Sequence, residues 1–336
     1  SNKFECVMIM SDSKLNVSLQ NMCIRANTGL VAYSPRILSI KCTQTDKKFI
    51  MNNIKIFTSM VNIDPPVIVY LQTGNTDSDS PIQLSSIDVY IEAALPQKGQ
   101  VVAKGAFFQI FSKAQRGNLL LKDIEIHQNF PSVLDLSEVE IFRLSNFDSI
   151  VVDNLIVKDA FLMGYYHSLI NFEDNLNITI SNVNISNIIA VGGSAGTDPR
   201  ADLIVFKLQG SEDGLDLDRH SSVTLQNINV QDSQNVQVLN LQIPLSSLSI
   251  SNVNILNVTQ PVISLFQIMP ILTSHDQAMP KVKRFLIDNV NIQKSKISSL
   301  LNFLPLNSEL NPYINLIPPF QVNLTNLKAT QNEFSS

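Results

Sequence analysis

The chain has 336 residues, enough to bury a sizeable core in one large all-β domain or in two or three average ones. Its net charge of −5, with only 16% charged residues, argues against nucleic acid as the main partner. No apolar run reaches the ~20 residues a membrane helix needs, so no membrane span is expected in this segment.

The first residues, SNKFECVMIM, carry no initiator Met, no basic leader region and no small-residue cleavage site. The chain therefore reads as a processed product or as a segment of a longer polypeptide. Cys6, Cys23 and Cys42 all lie near this end and form no CxxC pair. Two readings stay open: one disulfide with a thiol left over, or three plain thiols.

The elements that follow repeat one frame. In Val17–Leu19–Asn21–Met22–Ile24 an apolar residue lies four and two places before an Asn, and one and three places after it. The frame recurs at Phe49, Met51, Asn53, Ile54 and Ile56, then at Ile82, Leu84, Ser86, Ile87 and Val89. It continues through Leu119, Leu121, Asp123, Ile124 and Ile126, and through Ile150, Val152, Asn154, Leu155 and Val157. Next come Ile178, Ile180, Asn182, Val183 and Ile185, and Val223, Leu225, Asn227, Ile228 and Val230. The last three are Leu248, Ile250, Asn252, Val253 and Ile255; Phe285, Ile287, Asn289, Val290 and Ile292; and Val322, Leu324, Asn326, Leu327 and Ala329. All forty flanking positions are apolar in a chain that is 44% hydrophobic.

The change of step carries the fold. Alternation with period two makes a strand with one buried face. One inserted residue flips every later side chain, unless the chain turns a corner there and both halves still face one interior. Eight corner residues are Asn, one is Asp and one is Ser. Asn and Asp tolerate the left-handed backbone that such a corner needs. Denser apolar runs lie between the corners: PVIVYLQ at 66–72, AFFQIF at 106–111, VEIFRL at 139–144, SLINF at 168–172, LIVFKL at 203–208, VLNLQI at 238–243, VISLFQI at 262–268 and SLLNFL at 299–304. Corners recur every 25 to 45 residues. Three strands per period predict an all-β solenoid of about ten coils, spanning 1–336 as a single domain. Tight Asn-Gly or Asp-Gly hairpins, which a sandwich or propeller would need, do not separate the alternating runs.

A dense strand, a loop, a strand, an Asn corner and a third strand resemble the coil of the right-handed parallel β-helix. Pectate lyases, polygalacturonases and many surface proteins share that fold. The resemblance runs from about Lys3 to Thr330 and implies stacked corner Asn residues hydrogen-bonded in a ladder. It specifies architecture and says little about activity.

The chemistry implied by the enzymes of that group is not spelled out here. Of the Asn-Thr-Asp, Asp-Asp and Gly-His-Gly signatures of polygalacturonase-like chemistry, the last two are missing, and Asn-Thr-Asp occurs once, at Asn75, Thr76 and Asp77, without them. A lyase-like site would place calcium carboxylates on neighbouring coils, and the outward positions two after the corner include Asp88 and Glu125 on consecutive coils. Two solvated carboxylates are the preferred reading of that pair. The segment SEDGLDLDRH could gather Glu212, Asp213, Asp216 and Asp218 as oxygen ligands for calcium, with Arg219 and His220 beside them. It lacks EF-hand spacing, and a plain acidic loop is preferred. His127, His167 and His275 fall on different coils, and no catalytic residue, metal site or cofactor is assigned.

Asn16, Asn177, Asn184, Asn257 and Asn323 begin Asn-x-Ser/Thr sequons, no more than chance gives in so Asn-rich a chain. Asn177, Asn184 and Asn323 fall at outward positions, where a glycan is tolerated. The leading expectation is a non-enzymatic structural solenoid of an extracellular surface, matrix or filament assembly. Its partners would be other copies or further domains stacked end to end, and glycans. The alternative is a polysaccharide-binding or polysaccharide-cleaving β-helix, for which the chain offers Asp88, Glu125 and a loop aromatic cluster, Phe161, Tyr165 and Tyr166.

Overall fold

The computed structural model describes residues 5–11, 16–27, 36–42, 49–60, 67–73, 82–93, 105–112, 117–129, 134–135, 139–163, 167–191, 203–209, 221–269, 271–272, 283–303, 306–307 and 320–334. Among these residues there is no helix, and 21 strands belong to one sheet whose pairings are parallel. The fold is a parallel β-solenoid.

Each corner copy stacks on the next. Val17–Asn27 pairs with Phe49–Met60, which pairs with Ile82–Ala93 and then Asn118–Asn129. The series continues through Ser149–Met163, Asn177–Val191, Ser221–Gln234, Leu245–Ile268, Lys283–Gln293 and Phe320–Thr330. All ten corner residues have positive φ, between 53° and 58°. The ladder skips each of them: Gln20 pairs with Asn52 and Met22 with Ile54, while Asn21 and Asn53 are left out. The corner thus absorbs the inserted residue, and the flanking rows on both sides face one interior.

Burial follows the frame in the middle of the rod. All flanking residues of the eight inner copies, from Phe49 to Ile292, are buried. Side chains of equivalent register pack as continuous columns, such as Ile150, Ile178 and Val223. The expectation that all forty flanking residues are buried fails at the two outer copies. In the first, only Ile24 is buried and Met22 is 37% exposed. In the last, Leu324 and Leu327 are 50% and 54% exposed. The reason is geometric: among the described residues, no coil lies on the outer side of either copy.

The structure adds bends that the frame does not contain. Five residues after the main corner, Asp159, Asn187, Asp232, Asn257, Lys294 and Gln331 again take positive φ, 48° to 55°. This second corner belongs to the last six copies only. The residue after it turns inward, where Ser233 and Ser295 are buried at 1% and 2% exposure. Their hydroxyls accept the backbone N–H of the matching residue one coil earlier, from Ile188 at 3.2 Å and Val258 at 3.1 Å. Asn332 continues the series, its Oδ1 accepting from Ser295 N at 2.9 Å. A corner that would strand a buried N–H is thereby satisfied by a side chain.

The dense runs form a second stack, from Glu5–Ser11 and Arg36–Cys42 through Val67–Thr73, Gly105–Ser112 and Val139–Ser145 to His167–Glu173, Leu203–Gln209 and Val236–Gln242. Here too the register skips one residue per coil: Ser168 pairs with Ile204 and Ile170 with Phe206, passing over Leu169 and Val205. These passed-over residues are buried and apolar, so this bend has the opposite sense to the Asn corner. Phe108 and Phe142 stack inside it with ring centroids 4.6 Å apart.

Candidate functional site

Three arrays of polar side chains run along the outside of the rod. At the main corner, Nδ2 of Asn53 donates to Oδ1 of Asn21 at 2.6 Å, and Asn154 donates to Asp123 at 2.7 Å. Asn227 donates to Asn182, Asn252 to Asn227 and Asn289 to Asn252, at 2.8 to 3.0 Å. Two corners step sideways: Asn182 reaches Asp153 and Asn326 reaches Asp288, each at the residue before the corner below. Ser181 and Thr325 bond the same two carboxylates, and these donors hold Asp153 and Asp288 below the usual carboxylate range. A second ladder lies two residues on, where Asn229 donates to Asn184, Asn254 to Asn229 and Asn291 to Asn254. A third begins at the second corner, with Asn187 to Asp159 and Asn257 to Asp232. Asn can both donate and accept through one planar group, so identical residues stack without a charge to neutralise.

The second array contains Asp88 and Glu125, which the register places side by side on consecutive coils. They are not left facing solvent as a pair. Asp88 meets Lys55 at 3.9 Å, and Glu125 meets Lys158 at 2.5 Å. The Lys158 hydrogen bond is the main influence holding the Glu125 carboxyl low. Two residues further on lies a column absent from the sequence reading. The Arg25 guanidinium sits 5.0 Å over the Phe57 ring, Phe57 stacks on Tyr90, and Tyr90 stacks on His127. Both ring stacks have centroids 4.8 Å apart and are within 10° of parallel. Nε2 of His127 lies 3.2 Å from Glu125 Oε1, out of alignment for a hydrogen bond. Sugar binding by stacking needs an open ring face, and here ring faces are spent on other rings and on a cation. The signal was a common position: Arg25, Phe57, Tyr90 and His127 each lie four residues after a corner.

The third array lies outside the dense-strand bend. Glu140 is buried, and burial pushes its carboxyl up despite the Arg143 guanidinium beside it. Arg143 Nε donates to Glu140 Oε2 at 2.7 Å and lies 3.7 Å from Glu173 Oε1. Asn171 Nδ2 donates to both carboxylates, at 2.8 Å to Glu140 and 3.1 Å to Glu173. Two carboxylates with different surroundings are what acid–base chemistry uses. Their lone pairs, however, are taken by the chain: Ser168 and Asn171 on Glu140 Oε1, Ser145 on Glu173 Oε2, Asn171 and Gln209 on Glu173 Oε1. Amides continue the array, with Gln237 donating to Gln267 and Asn240 to Gln237. The network joins neighbouring coils as a polar seam. Sequence reading missed it, because its members lie 28 to 36 residues apart and meet only once the bend is known.

The other expected site residues fare differently. Glu212, Asp213, Asp216, Asp218, Arg219, His220, Tyr165, Tyr166 and His275 lie outside the described residues, as do the side chains of Phe161 and His167. Among the described residues, no three His, Cys, Asp or Glu side chains gather as metal ligands. Cys23 is an exposed free thiol, while the side chains of Cys6 and Cys42 lie outside the described residues. Of the sequon residues, Asn177 and Asn257 spend Nδ2 on hydrogen bonds to Asp148 O and Asp232 Oδ1. Asn184 uses only Oδ1 in its ladder, and Asn16 and Asn323 are exposed. Searches against family models, curated proteins and solved structures return no match to this chain.

Proposed function

We propose that this chain is a non-catalytic structural solenoid, built on the right-handed pectin-lyase-like coil, whose product is a stiff rod with a polar outer surface. The observation that carries this reading is the state of its outward carboxylates. Asp88, Glu125, Glu140 and Glu173 each face a cation or donor of the chain itself. The Asn ladders, with Asp carboxylates at some rungs, give the outside a repetitive polar face suited to an extracellular surface, matrix or filament assembly. Asn184 and Asn323, outward and with Nδ2 unengaged among the described residues, are the places for glycans.

A polysaccharide-active β-helix is the second reading, favoured by the two carboxylates Asp88 and Glu125 side by side on consecutive coils. Incubation with neutral and acidic polysaccharides, with and without calcium, separates the two. The structural reading expects neither new reducing ends nor unsaturated products. Turnover that disappears in Glu125→Gln or Glu140→Gln contradicts it.

A further inference from the structure

We propose that copies of this chain stack head to tail, with Val17–Asn27 of one copy laid in parallel register on Phe320–Thr330 of the next. This deepens the structural reading above and rests on it. Three observations on the two outer coils converge.

The first is apolar matching. The outer copy at one end presents half-buried Val17 and Leu19 with exposed Met22. The outer copy at the other end presents half-buried Val322 with exposed Leu324 and Leu327. Aligning Asn21 with Asn326 sets Val17 on Val322, Leu19 on Leu324 and Met22 on Leu327. These are the same-row contacts that fill every inner coil.

The second is hydrogen-bond polarity. In all three Asn ladders the later coil donates Nδ2 and the earlier coil accepts on an oxygen. The rod is therefore polar: among the described residues, Asn21 keeps an unengaged Nδ2 and Asn326 an unengaged Oδ1. Donor meets acceptor only when unlike ends meet. Two like ends would oppose donor to donor and run the strands antiparallel. The contact is thus heterologous, and repetition by translation builds an open filament.

The third is the absence of protection within these strands. Edge strands are commonly blunted by inward charges, proline or bulges. Phe320–Thr330 carries one charged residue, Lys328, which points outward, and no proline. In the aligned register Lys328 faces Cys23 and Thr330 faces Arg25, so no like charges are opposed.

The register supplies its own test. Adjacent strands are about 4.8 Å apart, and disulfides form between Cα atoms about 4.4–6.8 Å apart. In a Cys6→Ser, Cys42→Ser background, Lys328→Cys should cross-link to Cys23 of another copy under mild oxidation, giving dimers, trimers and higher multimers. Adding Cys23→Ser should remove the bands, and Thr325→Cys, which faces Gln20, should give none. Leu327→Asp tests the apolar contact separately and should abolish concentration-dependent association in sedimentation, with its strand spectrum kept. Monomer alone at millimolar chain overturns the proposal, as does equal linking from Thr325→Cys. Such a failure, with no polysaccharide turnover, removes the stacking and leaves the structural reading. Turnover removes the structural reading, whatever the cross-links show.

Discussion

At Asn252 the backbone takes φ 56°, the amide donates to Asn227, and its oxygen accepts from Asn289. A β-branched replacement must hold a conformation that costs of order 1–3 kcal/mol and loses ladder bonds worth about 0.5–1.5 kcal/mol each. Asn252→Gly loses the bonds but not the conformation. Urea unfolding should therefore rank wild type above Asn252→Gly and Asn252→Gly above Asn252→Val. Equal losses would place the corner's value in the ladder alone. Glu140 makes a different point at this scale. Burial raises its carboxyl pKa above the ordinary 4.5, with Arg143 and Glu173 the charged groups facing it. The folded chain takes up that proton before the unfolded chain does. The resulting stability is present in full below the unfolded value and is lost as pH rises through the folded value. Wild type should gain on Glu140→Gln as pH falls from neutral towards the ordinary 4.5 in paired urea titrations. A difference that does not change with pH contradicts the assignment.

The strands show which parts of the fold are readable in advance. The main corner is legible because alternation with one inserted residue has few physical solutions, and ten copies repeat it. The second corner is not, since its residues are Asp, Asn, Lys and Gln in six copies only. The bend in the dense strands is hidden for another reason: its residues, such as Leu169 and Val205, are apolar and look like ordinary core. Depth along the rod also escapes a one-coil frame. Ile250 and Leu324 occupy the same row, yet Ile250 is fully buried and Leu324 is half exposed. Ile250→Ala should cost about 2–5 kcal/mol through the cavity it leaves, and Leu324→Ala within about 0.5 kcal/mol, as at ordinary surface sites. Similar losses in denaturant unfolding would mean that the outer coil is as well covered as the inner ones.

Over the whole molecule, each coil contacts its two neighbours, and stability is a sum of coil terms and nearest-neighbour terms. The inner eight copies supply both, while the outer two lack one neighbour among the described residues. The candidate sites were less legible than the fold. Lys55, Asp88 and Glu125 could be placed in one outward row from the repeat, but Lys158 and the ring column, four residues after the corner, required knowing which positions share a face. All of this rests on each corner copy lying directly over the next in one fixed register. Asn229 and Asn254 are in-register neighbours on the outside, 2.8 Å apart from Nδ2 to Oδ1. The most direct measurement is peptide mapping of the oxidised Asn229→Cys, Asn254→Cys double variant. The account predicts a near-quantitative disulfide between these positions within one chain, with the strand spectrum unchanged. Two free thiols in a folded chain would contradict it.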